Sequence, residues 1–200
     1  MRFTRNTFVV RAAIFAAMVG SAALSFGQQS GKNFSNIKIR NFGQMDERFY
    51  RGAQPKESDF KDLAALGIKT VIDLRQDGVS YEKQAVEASG MRYISIPMSD
   101  SEYPKPETID TFLKTVNNPA TGTFFVHCAG GRHRTGVMGA VYRFTHDHWN
   151  YDKAYAEMKQ YDFYTRWGHG AMKDFVQDYW QHIETSQNAK SATTATQPNK

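Results

Sequence analysis

Cysteine is almost missing from this sequence: Cys128 stands alone among 200 residues. That excludes the disulfide framework on which small secreted domains usually rely. It also excludes a cysteine-rich metal site, which needs several thiolates in register. Long apolar runs are missing too. Past the N-terminus there is no stretch of about 18 apolar residues, so nothing there is built to span a bilayer. Basic charge is in less excess than it first looks. The chain carries 25 basic and 20 acidic residues, but Arg2, Arg5 and Arg11 fall within the first 27 residues, which hold no acid. Without those three, 22 basic residues face 20 acidic ones. So balanced a chain, with no basic cluster, lacks the electrostatic footprint of a nucleic-acid-binding protein.

What is present at the N-terminus has the layout of a secretory signal. The three arginines form a positive region, Ala12 to Leu24 is a 13-residue apolar segment, and Ser25-Phe26-Gly27 puts small residues at the cleavage-defining positions. A cut before Gln28 is expected, with export to the periplasm or the exterior. The competing reading, an uncleaved anchor, is opposed by the short run and the lack of a stop-transfer pattern. The expected organisation is a signal peptide over 1–27, a loose lead-in over 28–40, one catalytic domain over 41–186 and a disordered Ser/Thr/Ala/Gln/Asn tail over 187–200. Hydrophobic residues make up 40% and aromatics 14%, enough for one packed core. A monomer with no stable membrane association after signal removal is expected. In an oxidising compartment, a lone thiol is either buried and inert or kept for its chemistry.

Strand and helix signals alternate through the middle of the chain. Arg48 to Arg51 reads as a short strand, and Ser58 is placed to cap a helix carrying Phe60, Leu63 and Ala64 that ends at Gly67. Thr70 to Leu74 is a β-branched apolar run, hence a buried strand. A helix capped by Ser80 stops at Gly90, and Tyr93 to Ile96 is the next strand. Ile109, Phe112, Leu113 and Val116 share one helical face. Thr123 to Val126 is another buried strand, followed by helices from about Thr135 to His146, after Asn150, and along Met172, Phe175, Val176, Tyr179 and Ile183. Alternation of this kind predicts an α/β fold with a mostly parallel sheet covered by helices on both faces.

The chemistry concentrates in residues 124–136, Phe-Phe-Val-His-Cys-Ala-Gly-Gly-Arg-His-Arg-Thr-Gly. A hydrophobic strand feeds Cys128, five residues separate it from Arg134, and a helix follows. A short loop between a strand and a helix N-terminus turns successive N–H groups inward and adds the helix dipole, which makes an anion site. Gly130, Gly131 and Gly136 permit tight turns. Arg134 sits where its planar fork can hold two phosphate oxygens. The same field stabilises a thiolate, so Cys128 is a candidate nucleophile at neutral pH. Thr135 is placed to hydrogen-bond the sulfur, and His127 to brace the loop from behind.

The pattern His-Cys-x-x-Gly-x-x-Arg-Thr-Gly resembles the phosphate-binding loop of the protein tyrosine and dual-specificity phosphatases. The run Gly131-Arg132-His133-Arg134-Thr135-Gly136 and the segment Tyr50-Arg51-Gly52-Ala53-Gln54-Pro55 are most similar to the atypical plant- and fungal-type members and their bacterial relatives. The resemblance covers roughly 45–165. It implies a four- or five-stranded sheet flanked by helices and a two-step, metal-free reaction through a phosphocysteine. Cys128 would then be the nucleophile and Arg134 the phosphate binder, with the amides of Ala129, Gly130, Gly131, Arg132 and His133 assisting. The substrate would be a phosphorylated protein or a small phosphorylated molecule. Many of these relatives carry lysine where this chain has Ala129 and Arg132. The loss of one cation disfavours a highly anionic inositol polyphosphate.

The resemblance also implies a general acid on an upstream loop. Asp100 is the candidate, since it follows a strand and has Pro104 at a family-like spacing; Glu102 is the second. No cofactor is expected. A metal held by His127, Cys128 and His133 would lack a matching ligand pair. His146, His148 and His169 read as surface or packing residues. The aromatic run of 142–167 reads as core rather than a ligand-stacking face. Arg51 and Gln54 read as structural. The rivals to a phosphatase are a sulfur-transfer or arsenate-reducing protein and a phosphate-binding protein without turnover.

Overall fold

The computed structural model describes residues 34–166 and 168–195, with side chains as far as 189. The expected signal peptide over 1–27 lies outside the described residues. Five strands form one sheet in the order β1 (Gly43–Gln44), β2 (Phe49–Ala53), β5 (Phe124–Cys128), β3 (Thr70–Asp73), β4 (Arg92–Ser95). β1 runs antiparallel to β2; every other pairing is parallel. The α/β architecture expected from the alternation is therefore present, with β1 as a strand too short to give a period-2 signal.

β5 sits at the centre, paired to β2 from Phe49↔Phe124 through Ala53↔Cys128 and to β3 from Thr70↔Phe124 through Asp73↔His127. Side chains alternate across a strand. Phe124, Val126 and Cys128 thus face a core with Phe49, Ile72 and α4 (His133–His146). Phe125 faces the opposite core, with Tyr50, Val71, Phe60, Leu63 and Val86 of α1 (Phe60–Ala65) and α2 (Glu82–Ala88). Burying each such phenylalanine stabilises the fold by about 1.5–3 kcal/mol. α3 (Pro106–Asn117), α5 (Tyr151–Gln160) and α6 (Gly170–Ala195) complete the face that holds α4. α4 is buried from His133 through Phe144. Its N-terminus closes the loop that begins at Cys128.

Several boundaries differ from the sequence reading. The lead-in is not loose from Phe34 onward: Phe34 meets Phe42 edge-on at 5.2 Å, Ile39 is buried, and the Ala53 amide donates to the Arg40 carbonyl at 2.8 Å. Three large apolar side chains in a polar background (Phe34, Ile37, Ile39) suffice to dock the segment. The tail is helical rather than disordered as far as Ala195. Ala189, Ala192 and Ala195 favour helix, and no proline intervenes before Pro198. Ser58 and Ser80 cap nothing. The Asp59 carboxylate instead accepts the Lys56 amide at 2.8 Å, and α2 has no side-chain cap. Asn150 caps α5 as expected, accepting from the Lys153 amide at 3.0 Å.

Candidate active site

The loop from Cys128 to Arg134 leaves the end of β5 and turns directly into α4. Its carbonyls are tied outward one after another. Gln54 N donates to Ala129 O at 3.4 Å, Asn41 Nδ2 to Gly130 O at 2.9 Å, and Arg51 Nη2 to Gly131 O at 2.7 Å. In a planar trans peptide the N–H points opposite to the C=O. Fixing three carbonyls outward therefore aims the amides of Gly130, Gly131 and Arg132 into the bowl. Arg51 is fully buried and its guanidinium lies 3.9 Å from the Tyr161 ring centroid. Burial first, against the opposing pull of Tyr161, Glu157 and Cys128, brings its pKa down to about 10. It remains a cation, and a structural one as expected. Gly131 has φ +64, in the left-handed region.

Cys128 is 3% exposed. Burial pushes its thiol up. The Thr135 hydroxyl and amide, the Arg134 guanidinium and the Gly130 amide pull harder the other way and hold it below the ordinary thiol value. The Thr135 hydroxyl is buried and is the first of the groups that hold the thiol down. Arg134 is also buried, and its Nη1 donates to Met98 O at 3.4 Å. The sulfur and this guanidinium share a cavity of about 190 Å³ with Ala129, Gly130, Arg132 and His133.

Asp100 lines that same cavity, whereas Glu102 faces a separate depression with Gln76, Pro97 and Lys105. The two acids that sequence left as alternatives are thus separated in space. The cavity also holds two residues that sequence reasoning missed, His169 and Tyr164. His169 stacks on His133 with centroids 3.5 Å apart, and Tyr164 meets His133 edge-on at 4.4 Å. His169, read as a surface or packing residue, does pack, and it lines the cavity as well. The aromatic run divides: Tyr142, Phe144 and Phe163 are core, while Tyr164 is pocket wall. Burial foremost, then His169, Arg132 and Arg134, push the His133 imidazole down to about 4 against the Tyr164 carbonyl. Its ring is neutral at pH 7. Arg132 lies at the rim with Nε 3.9 Å from Asp162.

His127 points to the opposite face from Cys128, as neighbours in a strand must. The two cannot share an ion. Its Nε2 lies 2.7 Å from Glu82 Oε1, and its Nδ1 is 3.9 Å from Asp73 Oδ1; all three side chains are fully buried. A histidine with two carboxylates is a possible metal donor set, but these oxygens are already engaged. Glu82 Oε2 accepts from Gln54 Nε2 at 2.9 Å, and Asp73 accepts from the Arg75 amide at 2.8 Å and the Tyr93 hydroxyl at 3.0 Å. With Nε2 and Oε1 in direct contact, the cluster is a brace beneath the loop. It joins His127 to Glu82, which no local motif marks.

The family model for a dual-specificity-type phosphatase fused to NAD+ kinase matches residues 31–178. The chain belongs to the cysteine-dependent dual-specificity phosphatases. It is 31% identical over 132 residues to the probable tyrosine-protein phosphatase DG1060 of Dictyostelium discoideum, covering 63% of this chain and 78% of that one. It is 25% identical over 123 residues to the dual specificity protein phosphatase TpbA of Pseudomonas aeruginosa, covering 62% of this chain but only 55% of that one. The solved TpbA structure superposes with a TM-score of 0.61 at 22% identity, over 74% of this chain and 88% of that one. The core catalytic domain of the PP-IP phosphatase SIW14 of S. cerevisiae gives 0.60 at 21%, over 75% and 94%. These likenesses show the same fold. In this dual-specificity phosphatase the resemblance seen in the loop motif extends across the whole described sheet.

Proposed function

We propose that this phosphatase hydrolyses phosphomonoesters by way of a phosphocysteine on Cys128. The observation that carries the reading is the shared cavity: a thiol held below its ordinary value, a buried guanidinium and inward amides all meet within about 190 Å³. The thiolate attacks phosphorus, an S–P bond forms, and the P–O bond to the leaving group breaks as Asp100 gives that oxygen its proton. Water then attacks phosphorus, the Asp100 carboxylate takes the water's proton, and the S–P bond breaks. The Thr135 hydroxyl hydrogen-bonds the departing thiolate. Arg134 and the loop amides hold the charge that spreads over the phosphoryl oxygens.

Ordinary ligand sites measure about 300–1,000 Å³. A cavity of about 190 Å³ takes the phosphoryl group and leaves the organic part at the rim, where Tyr164 and the stacked His133–His169 pair stand. Flat aromatic walls favour an aryl ester, so phosphotyrosine is the proposed substrate group. A Cys-to-Ser form of TpbA has been solved with phosphotyrosine. The SIW14 likeness keeps inositol phosphates as a second reading, but Ala129 brings no cation and Arg132 already has Asp162 beside it. Turnover of phosphotyrosine, phosphoserine and inositol phosphate by wild type and Cys128→Ser tests the proposal. Wild type should prefer phosphotyrosine, and the serine form should bind without turnover. Binding without turnover by the wild type itself would make this a phosphate-binding protein instead.

Export is part of the same proposal, supported by the layout of residues 1–27. Mass spectrometry of the protein from its host should find a mature N-terminus near Gln28; an intact Met1 on protein retained inside the cell would refute it.

A further inference from the structure

The segment from Ser99 to Pro104 makes few bonds of its own. The Ser101 and Glu102 amides reach Ser99 Oγ at 3.4 and 3.1 Å, and both are exposed. Its firm attachments come from elsewhere. The Asp100 carbonyl lies 2.7 Å from His169 Nδ1. A carbonyl only accepts, so Nδ1 carries the hydrogen. Farther along, the Tyr103 hydroxyl donates to Asp178 Oδ2 at 3.1 Å, and its ring meets Phe175 edge-on at 5.2 Å. Asp178 and Phe175 belong to α6, and His169 directly precedes it. The His169 ring is in turn stacked on His133, the first residue of α4, at 3.5 Å and 16°. One imidazole therefore joins the acid loop to the phosphate loop.

From this geometry we infer that His169 is a positioning residue: it holds Asp100 over Cys128, and α6 anchors the far end of the same loop through Tyr103. The inference rests on the reading of Asp100 as general acid. His169 touches the backbone of the acid residue, not the reacting atoms. Its loss should therefore weaken proton delivery and leave phosphate binding largely in place.

The full-length enzyme should be assayed with a phosphotyrosine peptide and with p-nitrophenyl phosphate, whose leaving group hardly needs a proton. A general acid is worth about 10²–10⁴-fold. Partial loss of its placement in His169→Ala should lower kcat on phosphotyrosine at least about tenfold, and on the nitrophenyl ester less than about threefold; both esters lose the same ring wall, so any rise in KM should be shared by the two. His169→Asn, whose amide can donate to the same carbonyl, should restore most of the loss. Tyr103→Phe, which keeps the ring but drops the bond to Asp178, should give a smaller loss with the same leaving-group split. In an Asp100→Asn background, His169→Ala should add almost nothing, because the two act as one unit. If Asp100→Asn shows the split and His169→Ala does not, or lowers both esters equally, the positioning role is overturned while the acid stands. If Asp100→Asn shows no split, the acid assignment falls and the positioning role with it.

Discussion

Gly131→Ala offers the sharpest test of how the phosphate loop is held. A Cβ built on Gly131 would lie 2.5 Å from the Gly52 carbonyl carbon and 2.6 Å from both the Ala53 nitrogen and the Gly52 oxygen. All three atoms are backbone of β2, which is paired to β1 on one side and β5 on the other and has no room to retreat. The loop must move instead. Moving it pulls the Gly131 carbonyl off Arg51 Nη2, now at 2.7 Å, and leaves a buried cation short of a partner. An alanine in the left-handed region costs about 1–2 kcal/mol, and an unpaired buried donor about 1–3 kcal/mol. Together they take about 2–5 kcal/mol from a total that is typically about 5–15 kcal/mol. At about 2–4 °C per kcal/mol for a domain of this size, the melting temperature should fall by about 4–20 °C.

The rate should suffer as well, since a displacement of about 1 Å in a positioned site costs about 10²-fold. Thermal melts by circular dichroism and kcat on an aryl phosphate, measured on the same preparation, read both effects. Gly130→Ala is the stability control, because its Cβ would meet nothing nearer than 3.6 Å, and that is the flexible Arg132 side chain. A Gly131→Ala enzyme melting within about 2 °C of wild type and turning over within tenfold of it would refute this account of the loop.

Arg134→Lys should lose more than about 1.4 kcal/mol of transition-state stabilisation, one decade in kcat/KM, because a point charge cannot grip two oxygens. Thr135→Val removes a hydrogen bond that holds the Cys128 thiol down, so the acid limb of the kcat/KM–pH profile should move to higher pH; an unmoved limb would clear Thr135 of that role. His133 is pushed down to about 4, with burial the largest cause. Between that value and the ordinary histidine range near 6.5, the unfolded chain binds the extra proton, so stability should fall as pH drops through this window and level off below it. Urea midpoints at pH 7 and 4.5 should therefore converge in His133→Gln.

The part of the site that is legible in sequence is the part that is local. Strand, thiol, glycines, arginine and helix start all lie within residues 124–136, and their mutual geometry follows from a single turn of chain. What sequence does not reveal depends on packing between distant segments. Glu82 opens a short helix with nothing nearby to mark it, and it meets His127 only because α2 covers the face of the sheet toward which His127 points. His169 sits among aromatics that are mostly core, and no spacing relates it to Cys128. The polar composition around 34–40 and 187–195 misled for a different reason, since composition averages over a few well-placed apolar or alanine residues. β5 draws the two kinds of information together. Its strand was readable in advance as far as Val126, and its extension through Cys128 sets His127 and Cys128 on opposite faces. The strand thus presents Cys128 to the N-terminus of α4 on one side, and through His127 meets Glu82 of α2 on the other. A loop joined to both layers at its first residue can hold its amides inward without substrate present, and preorganisation of that kind is what electrostatic catalysis requires.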